Sequence, residues 1–131
     1  MSAVAVLDTS ALLAYLAGEA GAERIERSLD AGAAASTLMV QETVSKLVQR
    51  GMTPEDAASA VADLGLETHD LTFPLAVDAG ALFPLTRRHG LSHGDRACLV
   101  LARRLGVPAV TADKAWSDVA GEIGVRVEQF R

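Results

Sequence analysis

The stretch Ala3-Val4-Ala5-Val6-Leu7 runs directly into Asp8-Thr9-Ser10, and this junction decides the fold. The five apolar residues show no polar alternation, which predicts a strand buried on both faces, as in a parallel sheet. Asp8-Thr9-Ser10 ends that strand, and Ser10 or Thr9 is expected to cap a helix through Ala11–Ala17. A buried strand that passes directly into a helix is the repeating unit of α/β folds.

The same alternation continues along the chain. Further strands are predicted at Ala33–Ser36, Leu66–Leu71, Pro108–Thr111 and Val125–Val127. The second of these is polar and is expected at an edge of the sheet. Further helices are predicted at Glu23–Leu29, Leu38–Arg50, Pro54–Leu64, Thr72–Arg88, His93–Leu105 and Lys114–Ala120. Pro84 should kink or split the longest of them. We therefore expect one α/β domain over residues 1–131, a three-layer sandwich whose mostly parallel sheet of four to five strands lies between helices.

Length and composition exclude several classes of protein. At about 100–200 residues per domain, 131 residues form one domain, and 50% of them are apolar, enough for a core. The single cysteine, Cys98, excludes a disulfide framework and a Cys-rich zinc site, and it fits a reducing cytosol. No apolar run approaches the roughly 20 residues of a membrane span. We expect a cytoplasmic protein with no membrane partner.

The charge is unevenly distributed. The chain carries a formal charge of −5, but the segment Arg87–Arg104 holds five arginines against one acid, so it is locally +4 and the remainder is −9. Such asymmetry permits a positive rim beside a cluster of acids, so the overall acidity does not exclude a nucleic-acid partner.

Four acids fall close to junctions between predicted strands and helices. Asp8 follows the first strand, and Asp113 comes two residues after the fourth. Glu42 lies early in the helix after the second strand, and Asp95 lies in the first turn of another helix. Because chemistry in open α/β sheets collects beyond the carboxyl ends of the strands, we expect these four carboxylates to meet at one edge.

Carboxylates gathered at one edge repel one another unless a cation neutralises them. Oxygen ligands select hard ions, which favours Mg²⁺, with Mn²⁺ as a substitute. Taken singly, each acid is more simply explained as a helix cap or a solvated residue. Their shared placement favours a metal site formed by Asp8, Glu42, Asp95 and Asp113, with Asp118 as an outside candidate.

Three segments, Val6–Ala14, Leu91–Leu99 and Val110–Trp116, resemble PIN-domain proteins and, more narrowly, the VapC toxins of type II toxin–antitoxin modules. The motifs are Leu-Asp-Thr-Ser-Ala, Leu-Ser-x-Gly-Asp-Arg-Ala and Thr-Ala-Asp-x-x-Trp. This resemblance implies a Mg²⁺-dependent endoribonuclease with an RNA substrate, a VapB-like antitoxin partner and a homodimeric state. The family's acidic positions fall on Asp8, Glu42, Asp95 and Asp113, and its Ser/Thr position falls on Thr111.

On this interpretation the reaction is metal-assisted hydrolysis of a phosphodiester. Three acids, Asp8, Asp95 and Asp113, hold or orient the ion, and Glu42 positions the attacking water or assists its deprotonation. The candidate substrate-binding residues are Thr9, Thr111, Arg87, Arg88 and Arg96. The sequence shows no Ser–His or Cys–His nucleophile, and Cys98 is interpreted as a small buried hydrophobe.

Other classes stay open at this point. A receiver-like phospho-acceptor domain also gathers acids around Mg²⁺, and Lys114 would suit it, but its paired acids after the first strand are missing. A haloacid-dehalogenase phosphatase needs Asp-x-Asp where this chain has Asp8-Thr9-Ser10. A non-catalytic binding module would use the acids only as helix caps. Metal-dependent RNA cleavage distinguishes the nuclease from all of these.

Overall fold

A computed structural model describes residues 2–131. Its strands are β1 (Ala5–Leu7), β2 (Ala33–Ser36), β3 (Glu67–His69), β4 (Ala109–Thr111) and β5 (Val127–Gln129). They form one sheet in the order β3-β2-β1-β4-β5, and every neighbouring pair is parallel. The central position of β1 explains its uninterrupted apolar sequence, because helices cover both of its faces.

Helices connect the strands. They are α1 (Thr9–Ala17), α2 (Ala22–Ala31), α3 (Thr37–Gln49), α4 (Pro54–Ala62), α5 (Phe73–Ala81), α6 (Phe83–Thr86), α7 (His93–Leu105) and α8 (Ala115–Ile123). A 3₁₀ turn, Arg87–His89, follows α6. Hydroxyl side chains of Ser36, Thr53, Thr72 and Ser92 cap α3, α4, α5 and α7. Within residues 2–131, no helix is long and apolar enough to cross a membrane.

The core has three layers, as the sequence predicts. Alternate residues of β1 point to opposite faces: Val6 packs into the core formed with α5, α7 and α8, whereas Ala5 and Leu7 pack against α1 and α2. A smaller apolar cluster around Leu13 and Leu47 joins α1 to α3 and α4. The predicted three-layer α/β fold is confirmed, with all five strands parallel.

Several predicted boundaries were wrong by a few residues. The first helix begins at Thr9 and is capped by Asp8, not by Ser10 or Thr9, because the Asp8 carboxylate accepts a hydrogen bond from Ala11 N. The last strand lies at Val127–Gln129 because the preceding Val125 N–H still closes the end of α8 on Ala120 O. The polar strand β3 does lie at an edge of the sheet.

Pro84 splits the long predicted helix, as expected. The helix α5 ends at Ala81, and Pro84 lies in the first turn of α6, where a missing N–H breaks no helical hydrogen bond. The Thr86 hydroxyl donates to Leu82 O and stabilises the short helix. The break brings α6 and the 3₁₀ turn into contact with α8.

Candidate active site

The predicted acids lie around the carboxyl ends of the central strands. Asp8 directly follows β1, and its backbone N–H donates to Val110 O of the neighbouring strand β4 (3.2 Å). Asp113 follows β4 by two residues, Glu42 lies in the first half of α3, and Asp95 lies in the first turn of α7.

Asp8 is the most enclosed of the four, with 5% of its surface exposed. Its Oδ1 accepts hydrogen bonds from Ser10 Oγ (2.6 Å) and Ala11 N (2.9 Å), and its Oδ2 accepts one from Thr111 Oγ1 (2.6 Å). Burial raises the pKa of Asp8 because it penalises the charged form, while these three hydrogen bonds oppose that shift. The negative charge of Asp95 raises the pKa further.

Glu42 is held by a residue predicted to bind substrate. Thr9 Oγ1 donates to Glu42 Oε2 (3.0 Å), and Thr9 is only 7% exposed. The hydroxyl has one hydrogen, and a carboxylate oxygen is a stronger acceptor than the Met39 sulfur 3.5 Å away. Thr9 is therefore buried against a carboxylate rather than presented to solvent.

Asp95 and Asp113 bond mainly to the beginnings of their own helices. Asp95 Oδ2 accepts from Ser92 N (2.9 Å) and Ser92 Oγ accepts from Asp95 N (3.2 Å), which forms a reciprocal capping box. Asp113 Oδ1 accepts from Ala115 N (3.0 Å). Burial raises the pKa of Asp95, the Ser92 hydrogen bonds oppose the shift, and the charges of Glu42 and Asp113 add to it.

Cys98 lies in α7 close to the same charges. It is fully buried, and burial raises the pKa of its thiol well above the ordinary value. The negative charges of Asp8, Asp95 and Glu42 push the pKa in the same direction. Because the thiolate is the reactive form, Cys98 is a buried core residue and not a nucleophile.

Carboxylate oxygens are the type of ligand that a hard divalent cation prefers, but in the described part of the chain they do not converge on one point. Across residues 2–131, no three His, Cys, Asp or Glu side chains converge as a ready set of ligands. The reason is visible in the hydrogen bonds, since the carboxylates of Asp95 and Asp113 each accept a backbone N–H at the start of their own helix. The negative charge of Asp95 nevertheless raises the pKa of Asp8, and the charges of Glu42 and Asp113 raise that of Asp95, which is the electrostatic situation that a cation relieves.

The predicted basic residues divide into two kinds. Arg87 and Arg88 are exposed on the 3₁₀ turn, and the neighbouring His89 Nδ1 lies 3.9 Å from Asp118 Oδ2 of α8. Arg96 is only 6% exposed; it donates to His93 Nδ1 (2.9 Å) and lies 5.6 Å from the centroid of the Phe83 ring. Asp118 lies at the surface, with 66% of its side chain exposed.

The sequence interpretation missed the role of Ser10, which was assigned to helix capping. Its Oγ donates to Asp8 Oδ1 and accepts from Ala112 N (3.0 Å), so it joins the start of α1 to the loop after β4. Thr111 has a similar double role, because its Oγ1 donates to Asp8 and accepts from Asp113 N (3.0 Å). The sequence signal for these hydrogen bonds was the pair Thr9-Ser10, two hydroxyl residues directly after the strand-end acid Asp8.

Comparison with known proteins identifies the class. A family model for the PIN domain matches residues 5–122, and the chain belongs to this family. The receiver-like and phosphatase alternatives do not fit that membership. No curated protein matches the sequence.

Solved structures share the fold at low sequence identity. A DNA-bound VapBC complex from Salmonella typhimurium is 19% identical over 100% of both chains, with a TM-score of 0.74. VapBC2 from Rickettsia felis, bound to a promoter DNA fragment, is 17% identical over 95% of this chain and 97% of that chain, with a TM-score of 0.72. VapC20 from Mycobacterium tuberculosis, a toxin that cleaves the Sarcin-Ricin loop, is 20% identical over 80% of this chain and 86% of that chain, with a TM-score of 0.66.

Proposed function

We propose that this PIN-domain protein is a Mg²⁺-dependent endoribonuclease, with Mn²⁺ able to substitute, and the toxin of a type II toxin–antitoxin pair that acts in the cytoplasm. The observation that carries the proposal is the set of four carboxylates, Asp8, Glu42, Asp95 and Asp113, around the carboxyl edge of a PIN fold. The similarity to VapBC structures supports the toxin assignment.

The proposed roles follow from the hydrogen bonds. A bound divalent cation would orient the phosphodiester and offset the charge that develops on the scissile phosphate. Asp8, Asp95 and Asp113 are assigned to holding it, directly or through water. Glu42 is assigned to positioning the attacking water and accepting its proton, because the Thr9 hydroxyl fixes its Oε2, whereas the other three carboxylates cap the beginnings of helices.

Two of the residues expected to bind substrate are reassigned. Thr9 and Thr111 are 7% and 0% exposed, and each hydroxyl donates to a carboxylate. We propose that they position those carboxylates. Arg87 and Arg88 are exposed beside α8, and we retain them as contacts to the RNA backbone. Arg96, which is buried, is assigned to stabilising this surface through its contact with the Phe83 ring and its hydrogen bond to His93.

We also propose an antitoxin partner and a homodimer. The similar VapBC structures are toxin–antitoxin complexes, which supports the first. An apolar groove between α3, α4 and β3, lined by residues such as Val44, Val61 and Leu66, would suit an apolar segment of an antitoxin. On α5, Phe73 and Val77 are 81% and 54% exposed, which makes this face a candidate for self-association. Co-purification with the product of a neighbouring gene and the mass in solution test these two points.

The nuclease assignment is tested by RNA cleavage with Mg²⁺ and with a chelator. We expect the wild type to cleave only with the metal, and Asp8→Asn and Asp95→Asn to lose cleavage while staying folded. Asp118→Asn, outside the four-acid set, is the matched control and should keep its activity. Full cleavage by folded Asp8→Asn would overturn the site, and a wild type that cleaves no RNA would favour a binding module.

RNA contact is tested in the inactive Asp8→Asn background. Arg87→Ala with Arg88→Ala should weaken RNA binding and flatten its dependence on salt, since fewer counterions are released. The matched control is Arg103→Ala with Arg104→Ala, which removes the same charge from the far end of α7. Equal affinities and salt slopes for the two double variants would remove the first pair from the RNA-binding surface.

A further inference from the structure

Three glycines lie within helices and have ordinary backbone angles: Gly80, Gly94 and Gly121. Glycine is less stable than alanine in a helix, so such a glycine calls for a reason. A Cβ at Gly80 or Gly121 would meet nothing within 4 Å. A Cβ at Gly94 would overlap Glu42 Oε1 and come within 2.7 Å of Met39 Cε. Among these three positions, only Gly94 is one where an added Cβ would force its neighbours, the ends of the Glu42 and Met39 side chains, to move.

We propose that Gly94 and Thr9 are positioning residues for Glu42, which they hold in a slot between α1 and α7. Thr9 Oγ1 of α1 donates to Glu42 Oε2, and the missing side chain at Gly94 of α7 leaves room for Oε1. Each carboxylate oxygen is thus placed by a different helix. The inference rests on the proposed function, in which this carboxylate accepts a proton from water.

The slot restricts the conformational freedom of the Glu42 side chain. Its side chain has several rotatable bonds, and a free carboxylate would spend little time in the one position from which it can act. A hydrogen bond fixes one oxygen, while the close approach to Gly94 limits the movement of the other. The first turn of α7 also carries partial positive charge from unpaired backbone N–H groups, which favours a carboxylate beside it.

The first experiment compares Gly94→Ala with Gly121→Ala. In metal-free protein we expect Gly94→Ala to lower the Tm, because the new methyl group displaces the Glu42 carboxylate. With Mg²⁺ it should lose about 10²-fold in kcat for RNA cleavage and change KM little, as expected for a misplaced catalytic group. Gly121→Ala should keep its activity and a Tm at or above that of the wild type.

The second experiment repeats Gly94→Ala in a Glu42→Ala background. With the carboxylate removed, Met39 Cε is the remaining atom close to the added methyl group, so Gly94→Ala should lower the Tm of the metal-free protein less than it does in the wild-type background. It should also cause no further loss of cleavage. An equal fall in Tm in both backgrounds would overturn the slot. Because this cycle is measured without metal or RNA, it gives an answer even if the chain is not a nuclease.

The Thr9 half of the slot has its own test that does not depend on the folding of Gly94→Ala. Thr9→Ser keeps the hydroxyl donor and should retain kcat, whereas Thr9→Val keeps the shape without the donor and should lose about tenfold or more. In the Glu42→Ala background the difference in kcat between the two variants should disappear. Equal kcat for both in the wild-type background would remove Thr9 from the proposal.

Discussion

The acidic edge has two halves that are held in different ways. In the half built around the buried Asp8, here called the buried half, Asp8 and the half-buried Glu42 accept hydrogen bonds from the hydroxyls of Ser10, Thr111 and Thr9. In the open half, Asp95 and Asp113 accept backbone N–H groups at the beginnings of α7 and α8, from Ser92 and Ala115. Side-chain donors from several elements fix a carboxylate relative to the whole fold, whereas a cap fixes it only relative to one helix.

The difference indicates how a cation would assemble the site. Under the proposed function, the buried half would be organised before a cation binds and would set the position of the ligand cluster. The open half can exchange its caps for a cation with a local side-chain movement. Such a movement would bring together carboxylates that do not converge as a set of three ligands within residues 2–131.

The largest effect is expected at the link between the halves. Thr111 Oγ1 donates to Asp8 and accepts from Asp113 N, so Thr111→Val breaks both bonds while keeping the side-chain shape. We expect a loss of about 10–100-fold in cleavage, the range typical of residues that orient metal ligands. Cleavage assays at several Mg²⁺ concentrations measure it, because weaker metal binding would raise the concentration required.

The matched control for Thr111→Val is Thr86→Val. Thr86 is equally buried, but its hydroxyl donates to a backbone carbonyl in its own helix. It should lose stability without a change in Mg²⁺ requirement. Similar Mg²⁺ dependence in both variants would show that the buried half is not set by its hydroxyls.

The next effect concerns stability and pH in the metal-free protein. Burial raises the folded-state pKa of Asp8 above its ordinary 3.8. Between those two values the folded chain holds more protons than the unfolded chain, so the free energy of unfolding falls as pH rises through that window. Asp8→Asn removes this penalty and keeps a good helix cap. We expect a higher Tm than wild type at neutral pH.

The gap in Tm between Asp8→Asn and wild type should narrow as the pH is lowered through the raised folded-state pKa towards the ordinary 3.8, because Asp8 takes up its proton over that range. Thermal unfolding with a chelator across a pH series measures it. The matched control is Asp70→Asn, which replaces a carboxylate at an exposed position. A wild type that is more stable than Asp8→Asn at neutral pH would mean that the three hydrogen bonds to the carboxylate outweigh its burial.

The sequence predicted the strands, the helices and the placement of the acids better than the side-chain hydrogen bonds of the site. Short apolar runs and helix caps located the strands and the acids, because both follow from local patterns. The strand-end placement of Asp8 and Asp113 follows from topology alone. Boundaries moved where tertiary pairing overrode local preference, as at β5, whose register is set by pairing of Ala109 with Val127.

Local sequence patterns do not predict which side chains from distant parts of the chain are in contact. Thr9 and Glu42 are 33 residues apart, and Thr111 and Asp8 are 103 apart. The hydroxyls of Thr9 and Thr111 were assigned to substrate binding because the sequence does not show that they already donate hydrogen bonds to carboxylates. Similarly, Arg96 is charged in the sequence but is covered by Phe83 in the fold.

The smallest effect is expected in the open half, where Ser92 caps α7. Ser92→Ala removes the oxygen that accepts Asp95 N, and should destabilise the protein by about 1 kcal/mol, as a lost helix cap does. The Ser92 backbone N–H still donates to Asp95 Oδ2, so the carboxylate keeps its position at the start of α7. Thr53→Ala, at the equivalent cap of α4, is the matched control.

Urea unfolding should give a similar loss in the free energy of unfolding for the two variants. Cleavage at saturating Mg²⁺ should stay within about threefold of wild type, because neither substitution moves the buried half. If Ser92→Ala instead lost as much cleavage as Thr111→Val, Asp95 would be as firmly preorganised as Asp8, and the two halves would not differ in the way that their hydrogen bonds indicate.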